Sequence, residues 1–160
     1  MNYIGIQKLG GLSHRGQTLA PASRPWITDL SILCPYDGLQ TGNIPEFESD
    51  PNWNNWCFID SPKEPSDRLI WHVFKQEGKH YLVADRMLLA RVSWQDLNDA
   101  GYVYGTNVCI DGKQFCCRLM TGGDTPHDDP YEGASLPNEW DTLVRSEERR
   151  VGKECRSRWS

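Results

Sequence analysis

Two short β-rich runs, each broken by an acidic residue and a glycine, narrow the fold more than anything else in the chain. Residues 107–110 (NVCI) and 113–120 (KQFCCRLM) flank Asp111-Gly112. Asp-Gly adopts the left-handed conformations that a two-residue type I′ turn demands, and that turn matches the right-handed twist of the strands it joins. The implied register sets Cys109 opposite Gln114 and Cys116 opposite Asn107, and gathers Val108, Ile110, Phe115 and Cys117 on one face. Residues 69–75 (LIWHVFK) and 80–84 (HYLVA), around a turn at Glu77-Gly78-Lys79, read as another hairpin of aromatic and β-branched residues. Local hairpins commit this part of the chain to antiparallel sheet.

Helical signals are few. Residues 93–101 (SWQDLNDAG) predict a short helix with Ser93 as cap and Gly101 as stop, and residues 137–144 (PNEWDTLV) predict another with proline in its first turn. The expected class is α+β, with antiparallel hairpins and two short helices. Before Ser66 the texture changes to Gly, Pro, Asn and Ser, with no helical period, which predicts a loop-rich region with short strands over residues 1–66. Trp26, Trp53, Trp56 and Phe58 give residues 26–60 enough aromatic surface to pack down, whereas the first twenty or so residues are free to be loose. The α+β core is expected over residues 67–144, within the same domain.

The chain ends in residues 145–160 (RSEERRVGKECRSRWS), which resemble translated sequencing-adapter DNA. They are expected to be foreign to the fold, and the native gene is expected to continue past Val144, so that residues 1–144 are a truncated fragment. Six of the 17 Lys+Arg and three of the 22 Asp+Glu lie in this tail, leaving 11 basic against 19 acidic groups and a net charge of about −8 in residues 1–144. An acidic body without a basic run does not offer the electrostatic footprint of a nucleic-acid binder. No apolar run reaches a membrane span, and the start (MNYIGIQKLGG) has no charged flank and apolar stretch of the secretory kind, so neither membrane insertion nor an export signal is expected.

Outside the tail the cysteines are Cys34, Cys57, Cys109, Cys116 and Cys117, an odd set without a C-x-x-C pair. Cys109 and Cys116 are diagonal neighbours, with Cα atoms roughly 7 to 8 Å apart, at or beyond the usual reach of a disulfide. Reduced and mostly buried thiols are expected. Adjacent Cys116 and Cys117 point to opposite faces of their strand, where packing is the simpler reading than redox chemistry.

Residues 71–105 (WHVFKQEGKHYLVADRMLLARVSWQDLNDAGYVYG), then 110–123 (IDGKQFCCRLMTGG) and 137–144 (PNEWDTLV), resemble a group of bacterial and phage proteins. In that group a hairpin, a VSW-D-L helix, an IDGK strand ending in TGG and an NEWD helix recur in this order. The pattern is similar to the formylglycine-generating-enzyme and C-type-lectin-like superfold, and the resemblance covers residues 70–144. It implies a truncated lectin-like or formylglycine-generating-enzyme-like domain in a phage or prophage-type element, with a place in a virion. The enzymes of that superfold carry a cysteine pair and metal sites late in the domain, beyond Val144.

Candidate binding residues follow from loops held on a scaffold. Asp124, Asp128, Asp129 and Glu132, with His127 among them, form an oxygen-rich loop able to take Ca²⁺, although without the fixed spacing of an EF-hand. A solvated acidic loop is the plainer alternative, and otherwise no cofactor is expected. Tyr131 in that loop, with Trp53 and Trp56 in another, are candidates for ligand contact. His72 and His80 flank a turn on paired strands, where cross-strand packing accounts for them. Cys34 or Cys57 with His14 and an aspartate is a conceivable nucleophilic set, but no G-x-S-x-G, H-E-x-x-H or Walker loop supports catalysis. The expected function is a non-enzymatic binding or structural module that meets a protein or glycan partner through its loops. The alternatives are a metal-assisted oxidase or hydrolase completed by residues beyond Val144, and a small phage inhibitor of a host system.

Overall fold

The computed structural model describes residues 2–21, 44–121 and 139. Met1–Cys117 form one compact unit and Arg118–Ser160 another. The acidic loop with Asp124, Asp128, Asp129, Tyr131 and Glu132, the 145–160 tail and all of the 137–144 segment but Glu139 lie outside the described residues.

Among its described residues the first unit is built from small antiparallel sheets and one short α-helix, and these strands close no barrel. Its elements are β1 (Asn2–Lys8), β2 (Gly11–His14), β3 (Gln17–Leu19), β4 (Trp56–Ile59), β5 (Ile70–Gln76), β6 (Lys79–Ala84), α1 (Trp94–Asp99), β7 (Thr106–Ile110) and β8 (Lys113–Cys117). They pair in the orders β1-β5-β6, β3-β2-β4 and β7-β8. Single 3-10 turns at Phe47–Ser49, Trp53–Asn55 and Pro65–Asp67 punctuate the connections.

Both expected hairpins are present. Asp111 and Gly112 take φ of 54° and 74°, and the β7–β8 register pairs Cys109 with Gln114, Asn107 with Cys116 and Val108 with Phe115. Burial alternates along β7, with Ile110 buried and Asn107 and Cys109 exposed. The β5–β6 turn is tighter than the sequence suggested. Lys79 belongs to β6 and pairs with Gln76, which leaves a two-residue turn of Glu77 (φ 51°) and Gly78 (φ 77°). A third turn of this kind, Arg15-Gly16 at φ 50° and 79°, joins β2 to β3. In all three a glycine follows a residue whose left-handed strain the strand pairing overrides.

The helix also forms where capping chemistry places it. Ser93 and Asp96 make a reciprocal capping box, worth about 1 kcal/mol. At the other end Gly101 donates to the Asn98 carbonyl and Tyr102 to that of Leu97, the paired bonds of a glycine-terminated helix.

The first twenty residues, whose order the sequence leaves open, form the strands β1, β2 and β3. Local signals fail in β1 because both of its faces are exposed and its partner β5 lies some seventy residues away. Leu9 and Leu69 extend that pairing, with Leu9 N–H donating to the Leu69 carbonyl and Leu69 N–H to Gly10, each at 2.9 Å. Gly10 sits at φ 67° where a Cβ would lie 3.1 Å from Ile110 Cγ2 and 3.2 Å from the Ile59 carbonyl, so no larger residue suits the junction. The buried apolar residues among those described are Leu9, Ile44, Phe47, Trp56, Leu69, Val73, Phe74, Ala90 and Ile110.

One expectation about side chains needs correction. The described thiols are free, but Cys57, Cys109 and Cys116 are exposed and Cys117 is half-buried; on β7–β8 the register turns Cys109 and Cys116 away from the face that holds Val108 and Phe115. His72 and His80 each have a cross-strand neighbour, His72 opposite Val83 and His80 opposite Lys75, on opposite faces of the sheet.

Candidate functional site

A set of proton-transfer groups beside an exposed apolar surface lies on one face of β1-β5-β6. Tyr3 pairs with Phe74, and Ile6 pairs with His72, so Tyr3, Ile6, His72 and Phe74 share a face. A register shift between Tyr3 and Gly5 bulges β1 there and leaves Ile4 unpaired. Bulges re-aim side chains, and this one turns an apolar residue outward. Tyr3, Ile4 and Ile6 are 42%, 55% and 62% exposed.

Beneath this surface runs a hydrogen-bonded chain. His72 Nε2 lies 2.6 Å from Asp85 Oδ1, and His72 Nδ1 lies 3.0 Å from the Tyr3 hydroxyl. An ionised carboxylate only accepts, so Nε2 carries the hydrogen donated to Asp85, and in the neutral imidazole Nδ1 accepts from the Tyr3 phenol. Asp85 is held in turn by Arg86, whose Nε and Nη2 reach Oδ2 at 3.2 and 3.1 Å, and its main-chain N–H donates to Ile70. Its charge is compensated although the side chain is nearly buried. Chemically the chain does two things: it fixes the Tyr3 ring in one orientation, and it presents a base to the phenolic proton. Beside it a shallow apolar crevice is lined by Leu19, Pro21, Pro45, Ile70, Met87 and the stem of Arg86.

A separate polar knot surrounds Asp50. Its carboxylate accepts from His14 Nε2 and Arg15 Nε, both at 2.7 Å, and from Asn55 Nδ2 at 3.0 Å. The Arg15 bond first, and the His14 bond next, hold this carboxyl well below the ordinary aspartate range against the opposing effect of burial. Its main-chain oxygen accepts from Trp56 Nε1 at 2.8 Å. His14 stacks on Trp56 with ring centroids 3.9 Å apart. These bonds hold the Arg15-Gly16 turn to the Trp53–Asn55 segment, which gives the knot a structural role.

That knot decides where the expected tryptophans stand. Trp56 is buried beneath His14. Trp53 is half-buried, stacks on Phe47 and donates from Nε1 to the Asp96 carbonyl at 2.9 Å, which ties its 3-10 turn to α1. Neither indole is displayed as a loop anchor. The conceivable Cys57–His14 set is not assembled: Cys57 is opposite Ser13, with its thiol 3.1 Å from that hydroxyl, while His14 and Trp56 occupy the other face. Among the described residues no group of three or more His, Cys, Asp or Glu is placed to hold a metal ion. No described helix is long and apolar enough to cross a membrane.

In the second unit, Arg118 forms a fork to the Glu139 carboxylate, and Thr121 and Glu139 exchange hydrogen bonds through side chain and backbone. The Arg118 bond is the main reason that the Glu139 carboxyl falls to about 2. This resembles a capping box, with Thr121 receiving the N–H of Glu139, which is itself helical.

The sequence missed the Tyr3–His72–Asp85 chain because no local pattern links positions 69 residues apart. Comparison with protein families, with curated proteins and with solved structures gave no match.

Proposed function

We propose that the chain is a non-catalytic binding module from a phage or prophage-type element, an α+β domain of lectin-like or formylglycine-generating-enzyme-like architecture that takes a protein partner. The observation that carries the reading is the apolar patch of Tyr3, Ile4 and Ile6 at the β1 bulge, with its aromatic member locked from below by His72 and Asp85. Exposed aliphatic residues beside a rigid tyrosine match the anchor-and-surround composition of protein interfaces, and an anchor fixed in advance loses little rotamer entropy on binding. The bulge interrupts the outer edge of β1, so the patch is suited to a partner's apolar side chains rather than to an added strand. The loop with Asp124, Asp128, Asp129, Tyr131 and Glu132 would supply a second, acidic contact, with Ca²⁺ as its candidate cation.

A peptide-display selection against the intact chain tests this. Peptides enriched on the wild-type protein should lose binding to Ile4→Lys with Ile6→Lys, and Tyr3→Ala should cost about 2 kcal/mol, the scale of an interface hot spot. Selected peptides that bind the double variant equally well would remove the patch from the account. A separate enzymatic reading, of this site itself, rests on the same phenol and its base. Tyr3→Phe separates the two readings, since it keeps the ring for binding and deletes the hydroxyl. Hydrolysis of an activated ester that vanishes in Tyr3→Phe would favour the enzyme.

A further inference from the structure

The outer face of the β7–β8 hairpin carries two exposed thiols, Cys109 and Cys116, with Gln114 and Asn107 directly opposite them. We propose that these two thiols form a binding site for a thiophilic monovalent d¹⁰ cation, of which Cu(I) is the biological example, held between two thiolates.

The register supplies the first part of the argument. Cys109 pairs with Gln114 and Cys116 with Asn107, so both sulfurs leave the same face as diagonal neighbours on two strands joined by a two-residue turn. Cα atoms of such a diagonal lie roughly 7 to 8 Å apart, at or beyond the limit for a disulfide with its S–S bond of about 2 Å. A metal ion inserted between the sulfurs adds two bonds of about 2.3 Å, so it spans about twice that S–S length. The spacing that strains a disulfide therefore suits a bridged cation.

Coordination number supplies the second part. Among the described residues no third His, Cys, Asp or Glu joins the pair, so the four-ligand shell of zinc is not on offer there, whereas two soft sulfurs satisfy a cation that accepts linear coordination. The neighbouring Cys117 does not compete. It points to the opposite face of the strand, with Val108 and Phe115. Binding converts two thiols into two thiolates and releases two protons to solvent for each cation taken up.

The test uses the full chain, fully reduced under nitrogen, with Ag(I) as the probe because it shares the charge and the linear preference without redox chemistry. One equivalent is added, the remaining thiols are alkylated, and the protected cysteines are mapped by peptide mass spectrometry. Cys109 and Cys116 should be protected together, in a monomer, with two protons released per silver ion. The thiolate-to-silver ultraviolet band should be lost in Cys109→Ser and in Cys116→Ser, and should persist in Cys57→Ser. Protection of Cys34, Cys57 or Cys155 instead, or protection that appears only with dimerisation, would overturn the proposal. The mapping is done on the unsubstituted chain, so it decides the matter even where a serine variant fails to fold.

Discussion

The two hairpins β5–β6 and β7–β8 share one turn and differ in everything around it. Gln76-Glu77-Gly78-Lys79 and Ile110-Asp111-Gly112-Lys113 have the same left-handed pair at the centre and the same lysine after it. The first turn stands free, and the residue before it, Gln76, is exposed. The second is bound into the unit. Ile110 is 3% exposed against Gly10, the Asp111 carboxylate accepts from both the main-chain N–H and the hydroxyl of Ser61, and Asp111 N–H donates to Asp60 at 2.7 Å. Local turn chemistry thus sets that a hairpin forms, while the contacts outside the turn set how much stability it carries.

The sharpest way to break this contrast is to truncate the residue before each turn. Ile110→Ala should cost about 2 to 4 kcal/mol, because it opens a cavity against Gly10 and Ile59. Gln76→Ala should stay within about 0.5 kcal/mol, as exposed substitutions do. Urea denaturation of both variants measures the difference, and equal losses would show that the hairpins are anchored alike.

Gly112→Val and Gly78→Val probe what the two turns share. Neither glycine has an atom within 4 Å of where its Cβ would stand, and both have φ above 70°, so the penalty is backbone strain alone. Each should lose about 1 kcal/mol or more, and by a similar amount, in the same denaturation experiment. A loss at one glycine only would mean that the turns differ in conformation.

The smallest effect concerns acid. The Ser61 hydroxyl first, then the Ser61 backbone N–H, hold the Asp111 carboxyl below its ordinary range in the folded state. Its contribution is therefore complete above the unfolded value near pH 4 and is lost as pH falls through the lower folded value. Asp111→Asn should flatten the decline of stability below about pH 4, modestly because the pair is exposed. An unchanged slope in a pH series of denaturation midpoints would show that the Ser61 bonds carry no charge-dependent stability.

Much of this contrast is legible in the sequence, and the reason is range. Asp111-Gly112, Glu77-Gly78 and the Ser93 to Asp96 capping box are local chemistry, so the β7–β8 register and α1 follow from a few adjacent residues. Arg15-Gly16 makes the same turn but carries an arginine at the left-handed position, where no short polar side chain advertises it. That turn is held from outside, by Arg15 N–H donating to Asn55 and by Arg15 Nε on Asp50. β1 escapes for a related reason: with both faces exposed it shows no alternation, and its pairing with β5 is long-range. Tyr3 meets His72 only through that pairing, whereas His72 meets Asp85 across the β5–β6 hairpin. Trp53 and Trp56 carry two readings in the sequence, core and displayed surface, and only the structure shows that their indoles donate to the carbonyls of Asp96 and Asp50.

The central functional claim is that β1, and not the hairpin tips, meets the partner. Hydrogen–deuterium exchange of the intact chain, with and without a display-selected peptide, tests it most directly. The account predicts that the peptide slows exchange over Asn2–Lys8 while leaving Thr106–Ile110 and Lys113–Cys117 unchanged. Protection confined to the β7–β8 hairpin, with Asn2–Lys8 exchanging as in the free protein, would contradict it.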